Sequence, residues 1–150
     1  MPLTKSDIGY IKVIYELSCT GEGAHINDIA ARLKVTKASA SLAVKKLQGE
    51  TFLQRDVHRL VFLTKTGEKE ALHFLDRFEI IQCFLKEVLH VGEQTANDDA
   101  KAIENLLSID SVCALCKRTA QETRKNRCAD KCHIHRNSTD AETSEELDPV

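Results

Sequence analysis

Four cysteines in the last third of the chain, Cys113, Cys116, Cys128 and Cys132, are spaced C-x2-C-x11-C-x3-C and are followed by His133 and His135. Thiolates are soft ligands. Two close pairs of them joined by a short connector are what a tetrahedral zinc site or an iron–sulfur cluster requires. Four thiolates around one divalent ion leave a centre of charge about −2. Residues 112–136 carry Lys117, Arg118, Arg124, Lys125, Arg127, Lys131 and Arg136 against Glu122 and Asp130, an excess that offsets this charge and favours deprotonated thiols. The spacing does not choose the metal. Zn2+ is the common partner of four cysteines, with His133 or His135 as a possible substitute ligand, while an iron–sulfur cluster would use the same four sulfurs. A thiol-redox enzyme is disfavoured, because Cys-x-x-Cys here lacks a βαβ context and a supporting acid–base group; the chain is read as no enzyme.

Composition sets the setting of these thiols. The chain has 150 residues, 42% apolar and 29% charged, as in an ordinary globular protein. No run approaches the roughly 20 apolar residues that span a bilayer, and Met-Pro-Leu-Thr-Lys at the start lacks an apolar signal segment. These features predict a cytoplasmic protein with no membrane association. In that compartment six cysteines point to metal ligands or redox thiols rather than disulfides. Cys19 and Cys83, outside the motif, are expected to be small buried apolar residues. Residues 1–70 hold 11 Lys/Arg against 8 Asp/Glu, and residues 71–150 hold 10 against 15, so the basic half is the N-terminal one, as a polyanionic partner would favour. The last fourteen residues carry five acids and no base and read as a disordered acidic tail.

Helical spacing of Ile8, Ile11, Ile14, Tyr15 and Leu17 predicts a first helix over 5–18, capped by Thr4 or Ser6 and closed by Gly21 and Gly23. Asn27 is expected to cap a short second helix with Ile29, Ala30 and Leu33 on its apolar side. Val35-Thr36 then makes a turn, and Thr36 caps a third helix to about Leu47 whose apolar stripe is Ala40, Val44 and Leu47. Phe52–Arg55 and Leu60–Leu63 read as a hairpin around Asp56–Arg59. Thr64 caps a long helix through about Val91, with Leu72, Leu75, Phe78, Ile81 or Gln82, Leu85 and Leu89 as its stripe. Another helix is expected over about Ala96–Ser108, and a further one from near Asp110.

Helix, short helix, turn, helix, hairpin is the order of a winged helix-turn-helix, whose third helix enters the major groove of double-stranded DNA. Its outward residues are Lys37, Ala38, Ser39, Ser41, Leu42 and Lys45. Lys37, Lys45 and Lys46 are candidates for phosphate contacts, and Thr36, Ser39 and Ser41 for contacts with phosphate or base edges. Arg55, His58 and Arg59 sit at the wing tip, in reach of backbone or minor groove. The fold class expected is mainly α, a winged helix-turn-helix DNA-binding domain followed by an all-helical dimerisation domain. Residues 1–70 would form the first, 71–110 the second, 111–136 a Cys-rich segment and 137–150 the tail.

The run Ser6-Asp7-Ile8-Gly9-Tyr10-Ile11-Lys12-Val13-Ile14-Tyr15-Glu16-Leu17 resembles the opening helix of the DtxR/MntR family of metal-dependent transcriptional repressors. So do Ile29-Ala30-x-x-Leu33-x-Val35-Thr36, Ser39, Val44-x-Lys46-Leu47 and Leu63-Thr64-x-x-Gly67. The resemblance covers about residues 4–109 and implies a homodimer formed by the long helix and those after it, in the short form that lacks an SH3-like domain. It also implies a divalent-metal site drawn from the first helix, the long helix and the helix after it. The matching positions here are Gly9, Lys12, Phe78, Lys101, Glu104 and Asn105. Lysine and phenylalanine do not ligate Mn2+ or Fe2+, so of this set Glu104 alone keeps a ligating carboxylate, near a Glu79 of unassigned role. Lys12 and Lys101 are candidates to pair with Glu79 or Glu104 in place of a cation.

Together these readings predict a homodimeric regulator whose two recognition helices, one DNA turn apart, read a palindromic operator. Its affinity would respond to metal or redox state through the four-cysteine site. The alternative is a constitutive winged-helix protein in which zinc merely folds residues 110–136.

Overall fold

The structure is a computed structural model, and it describes residues 2–124 and Ile134. Cys128, Cys132, His133, His135 and the acidic tail lie outside the described residues. The chain divides into two compact units, residues 1–72 and 73–150, with the division inside the longest helix. In chain order the elements are α1 (Lys5–Ser18), α2 (Ile26–Leu33), α3 (Lys37–Gly49), β1 (Leu53–Arg55), β2 (Val61–Leu63), α4 (Lys65–Glu87), α5 (Glu93–Ile103) and α6 (Ile109–Thr123).

In the first unit α1 starts where Thr4 and Asp7 cap each other reciprocally. Each side chain satisfies a backbone N–H that the first helical turn leaves without a partner. The α2 cap is His25, without a side-chain hydrogen bond, rather than Asn27. The reason is tertiary: Ala24 exchanges backbone hydrogen bonds of 2.8 and 2.9 Å with Val61, which fixes the chain just before and starts the helix early. Lys34 ends α2 in the left-handed conformation, at φ 55°, and Thr36 Oγ1 accepts from the Ser39 N–H at 3.1 Å to start α3. Two helices are thus joined by a turn of three residues. Leu53, Gln54 and Arg55 pair antiparallel with Leu63, Phe62 and Val61. Ile11, Ile14, Ile29, Ala40, Val44, Leu47 and Val61 are fully buried and make one core. Gly67 is required where the hairpin hands over to α4, because a Cβ there would fall inside the Phe52 carbonyl oxygen.

In the second unit Ile80 and Ile81 of α4, Ala100 of α5, Val112 and Cys116 of α6, and Ile134 form a separate core. The expected α4 stripe is therefore only partly interior. Leu72, Leu75, Phe78 and Leu85 are half-buried, Leu89 is exposed, and the buried positions of α4 are Gly67 and Ala71 in the first unit and Asp76, Arg77, Ile80 and Ile81 in the second. α5 begins at Glu93, before Ala96, and ends at Ile103, before Ser108. Its end is set by Arg77, whose Nε donates to the Glu104 carbonyl at 2.8 Å and whose Nη2 donates to the Leu107 carbonyl. Carbonyls left over at a helix C-terminus need such a donor, and a guanidinium fork supplies two at once.

Candidate nucleic-acid interface and metal segment

The side of α3 facing away from the core carries Ala38, Leu42 and Lys45 at one-turn spacing, all exposed. Lys37 is exposed in the first turn and Ser41 is half-buried. Thr36 and Ser39 are tied to each other: the Thr36 hydroxyl donates to Ser39 Oγ at 2.8 Å while accepting from the Ser39 N–H. Their hydroxyls serve the helix start first.

Lys46 has a partner within the domain. Its Nζ donates to Asp7 Oδ2 at 2.8 Å, and the same oxygen accepts from the Thr4 N–H at 2.9 Å and the Thr4 hydroxyl at 2.7 Å. The ammonium therefore ties α3 to α1. Burial pushes the Asp7 carboxyl up, but the hydrogen bonds from Lys46 and Thr4 outweigh it and hold the group below the ordinary aspartate range. A carboxyl depressed in the folded state adds stability that is complete above its unfolded pKa and is lost as the pH falls through the folded one. Asp7→Asn is expected to cost about 1 kcal/mol at neutral pH, as for one partly screened pair. The gap to wild type should close as the pH drops below about 3.9. Urea denaturation across that pH range checks this, and a gap that is independent of pH would sink the assignment.

At the wing, Asp56 Oδ1 accepts from the N–H groups of His58 and Leu60 at 2.9 and 2.8 Å, and Arg59 takes a left-handed backbone at φ 64°. This turn presents Arg55, Val57, His58 and Arg59 to solvent. The first unit thus brings Lys37, Ser41 and Lys45 onto α3 and Arg55, His58 and Arg59 onto the wing, as expected from their order in the chain.

In the second unit Cys113 and Cys116 lie one turn apart on α6. Cys116 is 5% exposed inside the core, and Cys113 is half-buried against it. Ile134, two positions after Cys132 in the sequence, is buried in the same cluster. Among the described residues no group of three or more His, Cys, Asp and Glu could hold a metal, and the second half of the motif lies outside them. Cys83 is half-buried. Cys19, expected inside, is exposed: it is the C-cap of α1, past the last turn that touches the core.

The residues at the family's metal positions do not fit a divalent cation. Phe78 packs against the second core, and Lys101 points to solvent. Arg77, itself 5% exposed, is a cation close enough to feel the charge of the buried Glu104, and the periodicity of α4 did not flag it. Desolvation lowers its pKa, opposed by the charges of Glu104 and Cys113; a guanidinium still remains cationic at any working pH. The signal for it was an arginine set in the same row as Ile80 and Ile81.

Comparison with known proteins agrees with this geometry. Residues 3–57 match the family "Iron dependent repressor, N-terminal DNA binding domain", and residues 64–131 match "Iron dependent repressor, metal binding and dimerisation domain". The chain is 32% identical over 109 residues to the HTH-type transcriptional regulator MntR of Oceanobacillus iheyensis, covering 73% of this chain and 74% of that one. It is 30% identical to the solved manganese regulator SloR, at a TM-score of 0.64 over 79% of this chain and 54% of that chain. The hypothetical protein SSo2273 from Sulfolobus solfataricus shares the fold at a TM-score of 0.68 and 23% identity, covering 79% and 91%. No described helix is long and apolar enough to cross a membrane. By its two matched domains and its identity to these regulators, the chain belongs to the DtxR/MntR family of metal-dependent transcriptional repressors.

Proposed function

We propose that this chain is a homodimeric DNA-binding repressor whose operator affinity is set by a metal centre on Cys113, Cys116, Cys128 and Cys132, either an iron–sulfur cluster or Zn2+. The observation that carries the reading is the placement of the first cysteine pair. Cys116 lies in the core that includes Ile134, and Cys113, one turn away on α6, packs against it, so residues on both sides of the connector belong to one packed cluster. The replaced positions Lys12, Phe78, Lys101 and Asn105 support it too, since they take away the ligands by which the family responds to divalent metal. Seven Lys/Arg in residues 112–136 offset the charge of four thiolates. When bound, a centre would cross-link α6 to the segment after it.

The DNA contacts proposed are Lys37, Ser41 and Lys45 on α3 and Arg55, His58 and Arg59 on the wing, with Thr36, Ser39 and Lys46 at the edge of that surface. Lysines and arginines here position the domain on phosphates. The half-buried Leu72, Leu75 and Leu85 of α4 suit a second copy, and the dimer's two α3 helices would read a palindromic operator.

Anaerobic purification with metal and sulfide analysis tests the centre. The expected result is either stoichiometric iron with sulfide and broad visible absorption, or one colourless zinc per chain. Protein that holds neither metal after anaerobic purification, and takes up neither on reconstitution, defeats the proposal.

A further inference from the structure

Three large hydrophobic residues of the first unit are exposed among the described residues: Val35 at 39%, Leu42 at 70% and Val57 at 91%. They lie in the turn before α3, on α3 itself and on the wing, the elements proposed to meet DNA. Scattered exposed hydrophobics need no explanation, but their placement on the elements proposed to meet DNA does. Leu42 is the most telling. It stands opposite the buried Ala40, Val44 and Leu47, between Ala38 and Lys45 on the exposed side of α3.

α3 carries no arginine or asparagine. Besides Leu42, the exposed residues of α3 are Lys37, Ala38, Ser39, Lys45, Lys46 and Gly49, with no guanidinium, carboxamide or carboxylate. Readout of guanine by arginine or of adenine by asparagine is therefore unavailable there, while Lys37 or Lys45 can still meet a guanine edge and Gln48 is half-buried. Ser39 is engaged with Thr36, and Lys46 with Asp7. What remains at the centre is a branched aliphatic side chain flanked by Lys37 and Lys45. Those two cations disfavour a second copy of this positively charged face and favour a polyanion. The apolar group that the major groove offers is the C5-methyl of thymine.

We propose that Leu42 is a specificity-determining residue that reads thymine methyl groups in the operator. The proposal rests on the DNA-binding role of residues 3–57 and adds to it the kind of base edge that is read.

Full-length protein, purified anaerobically, is first used to enrich an operator from random duplex DNA. Each thymine of the enriched site is then replaced by uracil, which pairs identically and lacks the methyl group. Burial of one methyl is worth about fourfold in affinity. Wild type should therefore lose about fourfold for one critical thymine, and about fifteenfold when both half-sites are changed. Leu42→Ala, which removes an exposed side chain and should melt like wild type, is expected to bind thymine and uracil operators within about twofold of each other. Wild type indifferent to uracil at every position, or Leu42→Ala with the full uracil penalty, overturns the proposal while leaving DNA binding intact. Failure to enrich any sequence or to bind duplex DNA at all would defeat the DNA-binding assignment beneath it, and the proposal with it.

Discussion

Cys113→Ser and Cys128→Ser are each expected to abolish retention of the metal centre and to weaken operator binding by about 5- to 150-fold, the usual range of coupling between two sites on one protein. Cys113 is the better of the first pair to change. It is half-buried, whereas Cys116 is inside the core, so a serine at 116 would bury a hydroxyl and confuse packing with ligation. A ligand removed from a four-thiolate site leaves an open position that serine fills poorly. Coupling to DNA requires that the bound and empty forms differ in the population of the operator-binding state. The measurement is a titration of labelled operator with metal-loaded wild type and each variant, alongside iron and zinc content. Metal lost with operator affinity unchanged would show that the centre only folds the segment after α6, and sensing would be rejected.

A second large effect is expected at Arg77. Its side chain ties α4 to the carbonyls of Glu104 and Leu107, beyond the end of α5. Hydrogen bonds from a charged donor are each worth roughly 1.5–3 kcal/mol, and Arg77→Met leaves both carbonyls to find other donors. A loss of about 3 kcal/mol or more is expected. Arg77→Lys should recover only part of it, because an ammonium cannot present the fork. The loss should also be the same from pH 5 to 9, since the guanidinium stays charged throughout. Guanidinium chloride unfolding, with the two units followed by separate probes, checks both points. A cost under about 0.5 kcal/mol for Arg77→Met, typical of a surface substitution, would remove Arg77 from any structural role.

Much of the fold was legible because local chemistry and periodicity agreed. Thr4, Thr36, Thr64 and the apolar rows of α1 and α3 mark their helices, and the polar Asp56–Arg59 marks the wing. Two of the departures are places where a distant partner decided. His25 caps α2 because Ala24 is bonded to Val61, 37 positions on in the sequence. α5 stops short of Ser108 because Arg77 holds the carbonyls that follow it. Cys19 is outside because its helix ends one residue too soon, and no spacing argument separates a buried small residue from a C-cap. The candidate site was legible to a similar degree: residue types and order place the lysines of α3 and the basic wing, whereas the commitment of Lys46 to Asp7 depends on how α1 packs.

Ile134 has a consequence for metal affinity. A flexible tail would have to lose about (3/2)RT ln n of closure entropy each time it brought distant thiols to Cys113 and Cys116. With Ile134 buried in the same cluster as Cys116 and against Cys113, the two ends of the segment that carries Cys128 and Cys132 are held in one core before any ion arrives. In the proposed centre this anchoring would raise the effective concentration of the second thiol pair and make capture an intramolecular event. Under that proposal, Ile134 would tune affinity for the ion without being one of its ligands.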